Sequence, residues 1–220
     1  MVDRPVSLSE RLRPKDLQDL ALGEKTIARL QTMLDVKEPV NMLFYGPPGT
    51  GKTSTAKMFV EARGQLGCLE LDGSLQTGVS EVRTLVDRFA SCYPLDPGMK
   101  LCFIDEADYL SQNAQASLRG IIERYDATCR FIFAVNDLSK MHEAIRSRTV
   151  CIDFAVAVVS PNVRERVQKR MEDRLTKLGV QFDAKRLDLI FSVYFPDLRR
   201  VVKQLEFEFG SLGTSVPNGT

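Results

Sequence analysis

Between residues 45 and 57 the chain reads YGPPGTGKTSTAK, a run of glycines and prolines followed at once by a lysine. No other stretch constrains the fold as strongly. These residues bury almost nothing, yet they join an apolar run, NMLFY (41–45), to a segment of helical composition, TSTAKMFVEA (53–62), in a chain that is 44% hydrophobic. The spacing G-x-x-x-x-G-K-[ST], met by Gly46 to Thr53 between a strand and a helix, is that of a phosphate-binding loop. The glycines let backbone N–H groups turn inward around phosphate oxygens, where a Cβ would clash. Lys52 is placed to reach the β and γ phosphates and Thr53 to hold Mg²⁺, and the helix N-terminus adds partial positive charge. A structural Gly/Pro turn is the competing reading, disfavoured because motif and context coincide. The nucleotide-binding run is therefore Gly46, Pro47, Pro48, Gly49, Thr50, Gly51, Lys52, Thr53 and Ser54.

Along the rest of the chain, short apolar runs alternate with amphipathic stretches, the pattern of a parallel sheet covered by helices. Five runs read as strands: NMLFY (41–45), CLELD (68–72), LCFID (101–105), RFIFAV (130–135) and VCIDF (150–154). Val82, Leu85, Val86 and Phe89 form one helical stripe, and Ala114, Leu118, Ile121 and Ile122 another. The sheet is expected to be buried on both faces. After Phe154 the texture changes to SPNVRERVQKRMEDRLTKLG, with a Ser cap, Pro at the first helical position and a closing Gly179. Two more helices follow near 184–194 and 198–209. The expected division is a P-loop α/β domain over 1–157 with a five-stranded parallel sheet, a three-helix module over 158–210, and a disordered tail over 211–220.

A second half-site lies in LCFIDEAD, where a mostly apolar run leads to Asp105 with Glu106 beside it. Asp105 is assigned to the Mg²⁺ shell, on a strand neighbouring the phosphate loop, and Glu106 to the attacking water. Adjacent acids at a strand end can also be a solvated loop. The single histidine, His142, has no second His or Cys at metal-ligand spacing and reads as surface.

Composition excludes more than it assigns. Thirty basic against twenty-nine acidic side chains give a net charge of +1, so bulk charge calls for neither nucleic acid nor membrane. The five cysteines, Cys68, Cys92, Cys102, Cys129 and Cys151, contain no CxxC pair and read as reduced, buried small hydrophobes. No run reaches the roughly 18 apolar residues of a membrane span, and MVDRPVSLSERLRP lacks a signal-peptide core. The expected setting is cytoplasmic, or nuclear in a eukaryote, with no membrane partner.

GPPGTGKT, DEAD, FAVND and IRSRT, in that order, resemble an AAA+ ATPase, and more narrowly the clamp-loader subunits: the small subunits of replication factor C and the ATPase subunit of tailed-phage clamp loaders. LRPKDLQDLAL is similar to the family's N-terminal segment, DGSLQTGVSEVRTLVDRFAS and DEADYLSQNAQASLRGIIERY to its post-strand helices, and YFPDLRRVVKQLE to its lid helix. The resemblance spans about residues 8–208 and implies ATP and Mg²⁺ as cofactors. It implies that Asn136 is sensor 1, touching the attacking water or γ-phosphate, although an Asn after a buried strand also serves as a turn former. Arg148 matches the arginine finger, which acts in trans on a neighbour's phosphate; Thr149 stands where the family usually has Cys. Arg199 matches sensor 2, reaching from the lid to the phosphates. By the residues alone, Asp197 caps the helix after Pro196, which puts Arg199 and Arg200 in its first turn, where the macrodipole disfavours cations and an anionic partner would be welcome. The adenine is expected between Arg13, Pro14 and the lid.

For partners, the resemblance implies a sliding clamp, primer-template DNA held through its backbone, and other clamp-loader subunits, homo- or hetero-oligomeric, in a pentameric spiral. Arg83 and Arg119 match basic positions facing the duplex, and both sit off the apolar stripes. As plain solvated surface they would be equally unremarkable. Gln115, one turn before Arg119, is expected to couple DNA occupancy to the acidic end of the third strand. Family members continue into a helical collar that holds the oligomer together. This chain ends after the lid, so it is expected to be a fragment or to assemble by another route. The rivals are another AAA+ machine, such as a branch-migration motor or helicase loader, and a subunit that binds ATP only to hold an assembly together.

Overall fold

The structure, a computed structural model, describes residues 7–36, 38–64, 67–75, 79–92, 99–155 and 161–210. The helices are α1 (Leu8–Arg11), α2 (Glu24–Asp35), α3 (Lys52–Arg63), α4 (Val79–Ser91), α5 (Gln112–Arg124), α6 (Glu143–Arg146), α7 (Pro161–Lys177), α8 (Ala184–Tyr194) and α9 (Leu198–Phe209). The strands are β1 (Met42–Tyr45), β2 (Cys68–Asp72), β3 (Lys100–Asp105), β4 (Cys129–Val135) and β5 (Val150–Asp153), each within one residue of its expected bounds. All pair in parallel, in the order β2-β3-β4-β1-β5. Parallel neighbours need long crossovers, and the intervening helices supply them while covering the faces.

Period-two alternation decides which face each strand residue serves. Met42, Phe44, Leu101, Phe103, Ile132 and Ala134 pack with Ile27, Leu30 and Phe59 from α2 and α3. Leu43, Cys102, Ile104, Phe131, Phe133 and Val135 pack with α4, α5 and Ile145 of α6. Burial on both faces holds for β1, β3 and β4, whereas β2 and β5 are mostly half-buried because each has a neighbour on one side only.

Two expectations about the core need correction. In α4, Leu85 is 38% exposed; Val82, Val86 and Ala90 carry the contact. Those three repeat at i, i+4, i+8 and face the sheet and α5, which turns Leu85 outward. Of the cysteines, Cys102 and Cys129 are buried, Cys68 and Cys151 half-buried, and Cys92, just past α4, is exposed. The buried Lys100 closes that same helix end: its ammonium donates to the carbonyls of Phe89, Ala90 and Cys92, where a cation complements the helix dipole.

α7, α8 and α9 form a third core around Leu175, Leu187, Phe191, Val201 and Leu205. Leu8, Leu12 and Ala21, from the N-terminal segment, are buried in this core rather than against the sheet. The expected division at 157/158, the Ser160 cap and the tail over 211–220 lie outside the described residues. No helix among the described residues is long and apolar enough to cross a membrane.

Candidate functional site

The carboxyl ends of β1, β4 and β3 open onto a cleft of about 320 Å³, roofed by α7, α9 and the N-terminal segment. This is where ligands sit in open parallel sheets. Arg13, Pro14, Pro48, Gly49, Gly51, Lys52, Thr53, Ser54, Asp105, Glu106, Asn136 and Arg199 all line it.

The loop from Gly46 to Gly51 turns tightly over the start of α3. Gly51 has φ +101°, and a Cβ there would meet Leu20 Cδ2 at 2.8 Å. At Gly49 a Cβ would lie 1.9 Å from Asp197 Oδ1, so only glycine lets the lid approach. Leu198 N–H donates to the Gly49 carbonyl at 3.1 Å, joining the first turn of α9 to the phosphate loop. Gly46, Pro47 and Thr50 stand behind the wall. The carbonyls of Gly46 and Pro47 accept from Lys52 Nζ at 2.7 and 2.8 Å, and the buried Thr50 hydroxyl donates to Pro47 at 2.9 Å.

Asp105 was expected on a strand neighbouring β1, but β4 lies between them. The reach is restored by α3, which leans across β4 and β3. Thr53 Oγ1 thereby donates to Asp105 Oδ2 at 2.9 Å, and Asp105 Oδ1 accepts the Glu106 N–H at 3.0 Å. A hydroxyl and a carboxylate side by side suit Mg²⁺, a hard cation that takes one or two protein oxygens and completes its shell with phosphates and water. Glu106 has φ +48°, the left-handed region, and its carbonyl packs on Gly73, where a Cβ would come within 2.6 Å.

Asp108, unassigned from the sequence, is 9% exposed and accepts the N–H groups of Asn136 and Asp137, each at 3.2 Å. It therefore fixes the turn that brings Asn136 to the cleft. Its other oxygen is buried without a hydrogen-bond partner. The fourth position of DEAD was a legible signal for it. The fully buried Gln115 donates to the carbonyls of Leu110 and Lys140 and accepts the His142 N–H at 2.7 Å, tying the loop after β3 to the loop after β4. His142, expected at the surface, is half-buried and caps α6, its Nδ1 accepting the Ala144 N–H at 3.1 Å.

Burial pushes the Lys52 ammonium down to about 8, against the opposing pull of Asp105 and Asp108. Bound phosphates favour the protonated form, so above that pH nucleotide binding takes up a proton and must weaken as pH rises. ATP affinity is expected to be flat at neutral pH and to fall by up to about tenfold per pH unit once Lys52 deprotonates. Titrations between about pH 7 and 9 check this, and an unchanged affinity at the upper end would contradict it.

Arg148, Arg83 and Arg119 do not line the cleft. Arg148 follows α6 and is held by its own chain: Nε donates to Glu123 at 2.9 Å, Nη2 also reaches Glu123, and Nη1 donates to the Ala144 carbonyl at 2.8 Å. Arg83 of α4 and Arg119 of α5 are exposed and share a second, shallow groove with Arg124. Arg124 had not been singled out, because only the packing of α4 on α5 brings it to that groove.

Residues 42–158 match the model of the ATPase family associated with various cellular activities (AAA). The chain is 33% identical over 208 residues to a replication factor C small subunit of Thermoplasma volcanium, covering 92% of this chain and 64% of that one. It is 34% identical over 224 residues to replication factor C subunit 4 of Arabidopsis thaliana, with 94% and 64% covered. The chain thus spans a little under two thirds of the length of these relatives. Among solved structures, a variant of Thermotoga maritima RuvB superposes with a TM-score of 0.68 at 19% identity, covering 89% of this chain and 64% of that one. Aeropyrum pernix ORC1 in complex with DNA gives 0.64 at 19%, covering 90% and 62%. At such identities these two likenesses speak for the fold alone.

Proposed function

Because the chain belongs to the AAA family of ATPases, we propose that it binds and hydrolyses Mg²⁺-ATP as the ATPase subunit of a clamp loader of the replication factor C small-subunit type. The observation that carries this reading is the 33–34% identity over more than nine tenths of the chain to proteins bearing that name. In the cleft, Lys52 and Arg199 hold phosphate, Thr53 and Asp105 hold Mg²⁺, and Glu106 with Asn136 orients the attacking water. The adenine lies between the Arg13–Pro14 segment and the lid. Mg²⁺ would neutralise charge on the β and γ phosphates.

The rest of the reading concerns partners. Subunits assemble as a spiral in which Arg148 enters a neighbour's cleft, ATP closes the spiral and opens a sliding clamp, and primer-template DNA triggers hydrolysis and release. Arg83 and Arg119, with Arg124 beside them, supply phosphate contacts that repeat around the spiral. The setting is cytoplasmic or nuclear.

The test is steady-state hydrolysis by the protein assembled with its partner subunits: without DNA, with single-stranded DNA, and with primer-template plus clamp. Stimulation is expected only when clamp and primed junction are both present. Equal stimulation by any DNA would point instead to another AAA machine, such as a branch-migration motor. No turnover under any condition would point to a subunit that uses ATP only to hold an assembly together.

A further inference from the structure

Three arginines of α7, Arg166, Arg170 and Arg174, recur every fourth residue and so share one face of the helix. All three grip the N-terminal segment. Arg166 donates to the carbonyls of Leu20 and Leu22, and Arg174 to those of Arg13, at 2.7 Å, and Arg11. Between them sits one carboxylate, Asp19, whose side chain is 9% exposed. Its Oδ1 accepts from Arg170 Nε at 2.7 Å. Its Oδ2 accepts from Arg174 Nη1 and from the N–H groups of Lys15 and Asp16, each at 3.2 Å. Four donors on two oxygens leave a carboxylate no remaining freedom.

The next residue, Leu20, is fully buried and is the one that a Cβ at Gly51 would strike. Phosphate loop, Leu20, Asp19 and α7 thus form one continuous set of contacts on one side of the cleft. On the other side α9 touches the loop through Leu198 N–H and Gly49. Leu198, Val201 and Leu205 of α9 share one core with Val167, Met171 and Leu175 of α7, so Arg199, in the first turn of α9, is carried by the same body that Asp19 pins.

We infer that Asp19 is a positioning residue for nucleotide recognition: by holding Arg170 and Arg174 it sets the lid at the height from which Arg199 meets the terminal phosphate. This rests on the reading of Arg199 as the lid arginine. Among the described residues the only other carboxylate within 4 Å of Arg170 or Arg174 is Asp16, at 4.0 Å from Arg170. Asn at position 19 keeps the shape and an acceptor but removes the charge from between two guanidinium groups.

The consequence is selective. Both nucleotides share the phosphate loop; on this inference Arg199 addresses the γ phosphate, which ADP lacks. Asp19→Asn in the full chain should weaken ATP binding about tenfold and ADP binding less than about threefold, since a charge-assisted contact is lost in only one complex. In an Arg199→Ala background the same substitution should add less than about twofold for ATP, because contacts acting as a unit are non-additive. The measurement is competition of ATP and ADP against a fluorescent nucleotide, with thermal melting of the free proteins to verify folding. Should Asp19→Asn fail to fold, Arg170→Gln removes the other half of the pair from a partly exposed position and makes the same prediction. Equal weakening of ATP and ADP, additivity with Arg199→Ala, or unchanged affinities would each overturn the inference. Unchanged ATP affinity in Arg199→Ala alone would remove the lid-arginine reading, and the inference with it.

Discussion

Arg148→Ala is expected to lower clamp- and DNA-stimulated turnover by roughly 10³-fold or more, while the same subunit binds ATP with unchanged affinity. The split follows from where the side chain lies. Arg148 is absent from its own cleft and is held by Glu123 and the Ala144 carbonyl, so its removal takes nothing from the ATP bound in cis. In an assembled spiral it would face the phosphates of the neighbouring subunit, where the loss is one of transition-state charge. The Glu123 pair does not hold it back. The two side chains are 32% and 49% exposed, and a pair in that setting is worth at most about 1 kcal/mol. A 10³-fold rate effect corresponds to about 4 kcal/mol, so leaving Glu123 costs far less than the finger contributes. Arg148→Lys should recover little, because an ammonium lacks the planar fork that spans two phosphate oxygens. The decisive measurement mixes mutant with wild-type subunits: the defect must appear in the cleft that receives Arg148. A defect confined to the mutant's own cleft would mean that Arg148 acts in cis.

What could be read from the sequence was what is local. The phosphate loop, the strand that precedes it and the Asp105–Glu106 pair are contiguous, and each carries its chemistry within a few residues of chain. The capping of α9 by Asp197 is likewise a three-residue event: its carboxylate accepts the Arg200 N–H at 3.1 Å. Strand order was not local, and Asp105 reaches Thr53 only because α3 crosses β4. Leu85 misled because an apolar residue on a helical stripe has two neighbouring rows to join, and the docking angle of α4 on α5 chose the other one. His142 misled in the opposite direction, since a histidine without metal partners can still serve as a cap acceptor. The contacts of Asp19 join residues more than 150 positions apart, and no periodicity or motif in either segment announces the other.

Glu106→Gln is expected to reduce turnover by about 10²–10⁴-fold with ATP affinity retained, as for loss of a positioned general base. Gln preserves the side-chain shape and the backbone N–H bond to Asp105, so the carboxylate that would hold Mg²⁺ stays in place. Rapid-quench measurement of a single turnover would place the defect in the chemical step; a normal chemical step with slow release would exclude Glu106 as the base. Backbone geometry supports the same assignment independently. A side chain at φ +48° costs roughly 1–2 kcal/mol relative to an ordinary conformation, and here the conformation is imposed from outside. The Glu106 carbonyl accepts the Tyr109 N–H at 3.0 Å and packs against Gly73. A glycine would relieve that strain at an entropic cost of about 0.5–1 kcal/mol. Glu106→Gly should therefore melt no lower than the natural protein while being as inactive as Glu106→Gln. A residue whose removal leaves stability intact and takes the reaction away is held in that conformation for the reaction, and a lowered melting temperature in Glu106→Gly would show instead that the side chain is there to hold the fold.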